Sequence, residues 1–187
     1  MASMRDIKRR QASVQSTGQI TKAMKLVSTV KLQKARTRAE NTKAYFDGMY
    51  GTVASILARS TNIRHRYLKA DSDKKKAVVV ITSNRGLAGG YNSNIVKLIA
   101  NNPEFRPENT VIYAVGRKGI EGLTRKGYKI KKDYSTCIDE PIYSDAMEIS
   151  RDLLDAYAAE EIGEIYLAYT FFKNTVSHIP TLKKLLP

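Results

Sequence analysis

Lys76-Ala77-Val78-Val79-Val80-Ile81-Thr82-Ser83-Asn84-Arg85-Gly86-Leu87-Ala88-Gly89-Gly90 is the stretch on which the fold turns. Ala77 to Thr82 is a continuous, largely β-branched run, the pattern of a strand buried on both faces. Gly86, Gly89 and Gly90 then mark a tight structural turn, with glycine supplying positive φ. Asn92 or Ser93 is placed to cap a helix reaching about Ile99. Asn102, Pro103 and Pro107 mark a loop. Thr110 to Val115 reads as a second strand, and Arg117 to Lys126 as a helix closed by Gly127. Tyr128 to Tyr134 is a third, more polar strand. Ser144 to Glu161 is an amphipathic helix carrying Met147, Leu153, Leu154 and Tyr157. Glu164 to Phe172 is a fourth strand. Val176 to Leu186 is a fifth, which Pro180 confines to an edge. Strands alternating with helices predict a mainly parallel sheet covered on both faces, over residues 77–187.

Upstream, residues 62–76 are polar and charged and read as a linker. Residues 1–61 are different again. They contain no proline, and none of residues 20–46 is a glycine. Apolar residues recur in steps of three and four at Ile20, Met24 and Val27, then Phe46, Met49, Val53 and Ile56, which is one stripe on a helix. Ile7 and Val14 continue it, and only Ala35 and Ala39 lie near it in the middle. A helix from about Met4 to about Arg59 would be roughly 80 Å long. One small domain cannot cover such a stripe, so a second long helix or a sheath of other subunits is implied. The alternative is two ordinary helices broken near Gly18 or Gly48.

The 187 residues carry a net charge of +14, and it is unevenly placed. Residues 1–76 hold 18 Lys+Arg against 5 Asp+Glu, whereas residues 77–187 hold 14 against 13. The basic segment therefore calls for an acidic partner. A single cysteine, Cys137, excludes an internal disulfide and a multi-cysteine metal site. No apolar run reaches membrane-spanning length, and no apolar stretch follows the basic N-terminus as a secretory signal requires. A soluble, cytoplasmic chain is expected.

No residue set commits to a reaction. Gly86, Gly89 and Gly90 do not fit G-x-G-x-x-G, and no Gly-Lys-Ser/Thr closes a phosphate-binding loop. Arg85 could hold an anion or face solvent. His65 and His178 lack the neighbours of a metal site. Cys137 reads as a small buried hydrophobe. Asp139, Glu140, Asp145 and Glu148 suit the positive end of a helix. Neither a cofactor nor a metal is expected. The basic helix fits nucleic acid only generically, because residues 1–44 offer almost no aromatic rings for stacking.

Three motifs carry a resemblance. Asp6-Ile7-Lys8-Arg9-Arg10 and Ala12-Ser13-Val14-Gln15, followed by Ile20-Thr21-Lys22-Ala23-Met24-Lys25-Leu26-Val27, resemble the N-terminal helix of the gamma subunit of F-type ATP synthase. Thr82 to Asn92 resembles that family's strand-to-helix turn, and Pro180-Thr181-Leu182-Lys183-Lys184-Leu185-Leu186-Pro187 the end of its α/β domain. The resemblance implies a long helix, half of a coiled-coil shaft, joined to a mainly parallel Rossmann-like α/β domain. It implies a non-catalytic rotor subunit in the central stalk, coupling ion flow through the membrane ring to ATP synthesis or hydrolysis on the beta subunits. Implied partners are the alpha and beta subunits, the epsilon subunit and the membrane c-ring, with no nucleic acid. Lys22, Met24 and Lys25 are implied contacts to an acidic loop of the beta subunits. Ile20, Val27, Phe46, Met49, Val53 and Ile56 are the implied shaft seam. The family's second shaft helix would follow Pro187, so a truncated chain is expected, and with it self-association of the isolated chain through its uncovered stripe. The lack of a paired redox cysteine and of a transit peptide favours a bacterial form, peripheral on the cytoplasmic face of the cell membrane.

Overall fold

The computed structural model describes residues 3–60, 65–68 and 73–187. Of the stretch expected to be a linker, 62–64 and 69–72 lie outside the described residues. The chain divides into two units, Met1–Ile63 and Arg64–Pro187.

The first unit is one helix, α1 (Met4–Arg59), of 56 residues with no break at Gly18 or Gly48. Its start is fixed by a capping box: the Ser3 hydroxyl accepts from the Arg5 amide at 3.3 Å, and Asp6 accepts from the Ser3 amide at 3.3 Å. None of its residues is buried within the chain. Its cohesion is local. Arg36 pairs with Glu40 and Lys43 with Asp47, each at 2.7 Å and at i,i+4 spacing. Such exposed pairs stabilise a helix by only about 0.3–0.5 kcal/mol each.

The second unit is a five-stranded sheet with order β3-β2-β1-β4-β5. The strands are β1 (Lys75–Ile81), β2 (Thr110–Val115), β3 (Lys129–Asp133), β4 (Ile162–Phe172) and β5 (His178–Leu186). The first four are parallel, and β5 runs antiparallel along β4 at the edge, with Pro180 opposite Thr170. Helices α2 (Tyr91–Ala100), α3 (Arg117–Thr124) and α4 (Tyr143–Ala158) connect them.

Strand β1 lies between β2 and β4, and Ala77, Val78 and Val80 are wholly buried. That is why its sequence is unbroken rather than alternating. Val78 and Val80 pack with Ile95, Ile99 and Leu123 from α2 and α3; Ala77 and Val79 pack on the other face with Leu153 and Ala156 of α4. A short 3-10 turn at Arg66–Leu68 is held to α4, where the Tyr157 hydroxyl donates to the Arg66 carbonyl at 3.1 Å.

Two local expectations are corrected. Helix α2 begins at Tyr91, after Gly90, and neither Asn92 nor Ser93 is its cap. Asn92 instead reaches back along the turn, its Oδ1 accepting from the Ser83 amide at 2.9 Å. The helix expected through Lys126 ends at Thr124, with Gly127 at φ +85 beyond it.

Candidate functional site

The candidate residues fall into two groups. On α1, the apolar residues form one exposed stripe: Ile20 is 58% exposed, Met24 66% and Ile56 57%. Val27, Phe46, Met49 and Val53 share that stripe and are exposed too. Lys22, Met24 and Lys25 do not share a face. At about 3.6 residues per turn, Lys22 lies on the side opposite the stripe and Lys25 about a quarter-turn from Met24. The stripe and the two lysines can therefore meet different partners at once.

The turn after β1 is the second group, and here the sequence reading needs correction. Only Gly89 among the three glycines has positive φ, at +55. Gly90 has φ −78, and a Cβ there would press only on the tip of the Asn94 side chain, at 2.9 Å. A Cβ on Gly86 would meet nothing within 4 Å. Leu87 takes the left-handed conformation instead, at φ +59, with its side chain fully exposed.

The conformational requirement lies elsewhere, at Gly116 (φ +116), between β2 and α3. A Cβ at Gly116 would overlap the Thr82 carbonyl, and one at Gly119 would lie 2.8 Å from the Thr82 hydroxyl. This close approach lets the end of β1 cap α3. The Thr82 Oγ1 accepts from the Gly119 amide at 2.8 Å, the Ser83 carbonyl from the Lys118 amide at 3.0 Å, and the Asn84 Oδ1 from the Arg117 amide at 3.1 Å. Thr82 is wholly buried and its hydroxyl donates to the Gly116 carbonyl at 3.1 Å. The first-turn amides of α3, which would otherwise bind an anion, are taken by the protein itself. A cavity of about 320 Å³ lies between residues 88–91, Asn94 and the β4–β5 hairpin, but no Lys or Arg lines it. The end of β1 is thus built as a clamp on α3.

Two charge clusters escaped the sequence reading. Glu164, on β4, is 7% exposed and accepts from Lys184 of β5 at 2.6 Å and the Tyr166 hydroxyl at 3.1 Å, with Lys76 of β1 at 3.3 Å. Burial pushes its carboxyl up, but its hydrogen bonds to Lys184, Tyr166 and Lys76 outweigh that and hold it below the usual carboxylate range. The second cluster joins β3 to α4. Lys132 meets Asp152 at 2.5 Å and Glu148 at 3.1 Å, and the Tyr134 hydroxyl donates to Asp152. Burial, then that bond to Asp152, pushes the Tyr134 phenol far above its ordinary value. The first cluster fastens three strands to one another, and the second fastens β3 to α4. Cys137 is half-buried, and its thiol donates to the Tyr134 carbonyl at 3.0 Å. Among the described residues no group of three His, Cys, Asp or Glu is placed to hold a metal, and no helix is long and apolar enough to cross a membrane.

Residues 3–187 match the family described as ATP synthase. This chain belongs to the gamma-chain family of ATP synthase. It is 67% identical over 187 residues to the ATP synthase gamma chain of Lachnoclostridium phytofermentans, a match covering all of this chain and 64% of that one. The sodium ion specific ATP synthase gamma chain of Acetobacterium woodii is 37% identical, covering 98% of this chain and 61% of that one. Among solved structures, a chain of the central stalk/c-ring structure of Tetrahymena thermophila mitochondrial ATP synthase matches with TM-score 0.65 and 26% identity, over 90% of this chain and 72% of that chain. The chain therefore spans slightly under two thirds of the length of these gamma-chain relatives. The long helix and the mostly parallel α/β domain are the architecture found in that central stalk.

Proposed function

We propose that this chain is a central-stalk subunit of an F-type ATP synthase, a rotor part that couples ion flow through the membrane ring to ATP synthesis or hydrolysis on the beta subunits. One observation carries this beyond family membership: α1 runs 56 residues without burying a single side chain in its own chain, yet bears a long apolar stripe. A stripe of that extent on a soluble protein marks an interaction surface. The reading assigns the stripe to a second shaft helix and the surrounding alpha and beta subunits. The epsilon subunit and the c-ring are the partners of the α/β domain. The chain performs no bond chemistry itself, and it sits peripherally on the cytoplasmic face of a bacterial membrane through the complex. Lys22 and Lys25, on another face from the stripe, would meet an acidic loop of the beta subunits.

Co-expression with the alpha and beta subunits tests the reading: the chain should copurify with them. In a gamma chain of full length, the double change Lys22→Glu with Lys25→Glu should lower ATP-driven ion pumping while leaving helix content intact. Each exposed pair is worth only about 0–1 kcal/mol, so the double change is the informative one. Failure of the parent chain to associate, or undiminished pumping by the variant, counts against it.

A further inference from the structure

The apolar stripe of α1 does not stop at Val27 and resume at Phe46. The same row, followed in steps of three and four, continues through Lys31, Lys34, Arg38 and Thr42. The seam keeps heptad spacing on either side of Thr42, where the two four-residue steps from Arg38 to Phe46 add one residue to a heptad. Three consecutive core positions of this seam are therefore cations.

These cations differ from their neighbours. Arg36 and Lys43 each hold a carboxylate of α1 itself, Glu40 and Asp47. Both carboxylates lie on the side of the helix away from the seam. Lys31, Lys34 and Arg38 are exposed and hold no ion pair or hydrogen bond through their side chains among the described residues. A seam that buries its two apolar sections must bring these three charges to the interface as well. An unpaired charge there is costly, and a facing carboxylate removes that cost.

We propose that the helix pairing with α1 is apolar at both ends and acidic in its middle, with Asp or Glu side chains facing Lys31, Lys34 and Arg38. The charged section sets the register, since sliding the helix would place carboxylates against an apolar section and leave the cations bare. A second copy of this chain does not fit. Parallel and in register, each cation meets itself. Antiparallel about Arg38, the register that aligns the apolar sections, Arg38 meets itself while Lys31 and Lys34 fall opposite Tyr45 and Thr42, so no seam cation gains a carboxylate. The inference deepens the shaft reading above and rests on it for the existence of a partner helix.

Three labelled synthetic helices of equal length test it against the whole chain by fluorescence anisotropy. All carry the same apolar ends. One has Glu at the three middle seam positions, one has Gln there, and one has Gln there with its three Glu on the opposite face. The first should bind about tenfold tighter than either other at low salt, with the preference shrinking as salt rises. The variant Lys31→Glu, Lys34→Glu, Arg38→Glu keeps good helix formers throughout and should prefer the Gln-middle helix over the Glu-middle one. Equal binding of the Glu-middle and Gln-middle helices, or equal binding of the two Glu-bearing helices, would overturn the proposal. So would an unchanged preference in the variant, or a stable dimer of the chain that none of the helices displaces. Tight binding of the Glu-middle helix by a chain that does not associate with alpha and beta subunits would sink the rotor reading and leave this one standing.

Discussion

Glu164→Gln should cost the α/β domain about 2–3 kcal/mol. The carboxylate is 7% exposed and serves two lysines on two different strands. Glutamine fills the same volume and can still accept a hydrogen bond, so the change isolates the charge. Removing one partner of a fully buried pair costs about 3–5 kcal/mol, because the other charge stays behind in a poor solvent. Here the loss is smaller, since the Lys184 side chain is 42% exposed and can turn to water. Lys76, at 17%, cannot do so fully, and it lies over the rings of Phe105 and Tyr166 at 5.7 and 5.9 Å. The assay is urea unfolding followed by near-ultraviolet circular dichroism of the buried tyrosines, which reports this domain rather than α1. The pH dependence adds a second reading. Because Glu164 is held below the ordinary carboxylate range, the folded state binds its proton less readily than the unfolded chain. The stability it supplies is complete above the unfolded value of about 4.3 and lost as pH falls through the folded value. The parent should therefore lose more stability than the variant on acidification. A variant within about 0.5 kcal/mol of the parent at neutral pH, the range of an ordinary surface substitution, would refute the reasoning.

Other outcomes follow from the same structure. Gly116→Ala should cost about 3 kcal/mol or more, since it combines positive φ with overlap on the Thr82 carbonyl; an unchanged thermal midpoint would contradict this. Gly89→Val should destabilise the domain by about 1–2 kcal/mol through its left-handed backbone. Gly90→Val should cost less, because only the Asn94 side chain must move; thermal melts of the two variants compare them directly. Tyr134 should stay protonated in the folded protein at pH values where free tyrosine ionises. Its stabilising contribution is full below about pH 10 and is lost as pH rises toward the folded value. Tyrosinate absorbance during alkaline titration of the parent and Tyr134→Phe checks it.

What the sequence disclosed depended on how local the cause was. Strand β1 was legible because burial on both faces leaves an unbroken run, and β5 because Pro180 excludes an interior strand. The length of α1 was legible because propensity and spacing agreed over the whole segment. Gly116 was not, because its requirement comes from Thr82, which reaches it only once β1 and β2 pair. The three turn glycines drew notice by their density, yet only Gly89 needs its freedom. Glu164, Lys76 and Lys184 stand on three different strands, and nothing in their spacing brings them together. Lys31, Lys34 and Arg38 were hidden for another reason: a search for apolar periodicity steps over cations that occupy apolar positions.

The antiparallel course of β5 determines where the polypeptide enters and leaves this domain. Ala77 is opposite Ile165, and Ile165 is opposite Leu186, so all three lie in one row across the sheet. At about 4.8 Å between neighbouring strands, the first and last strands of the domain pass within roughly 10 Å of each other at that row. A domain with adjoining ends behaves as an insert. A bridge of about three to five residues in extended form could replace everything between Ala77 and Leu186. Conversely, the domain could be circularly permuted by joining those ends and opening it at the exposed tip of the β4–β5 hairpin.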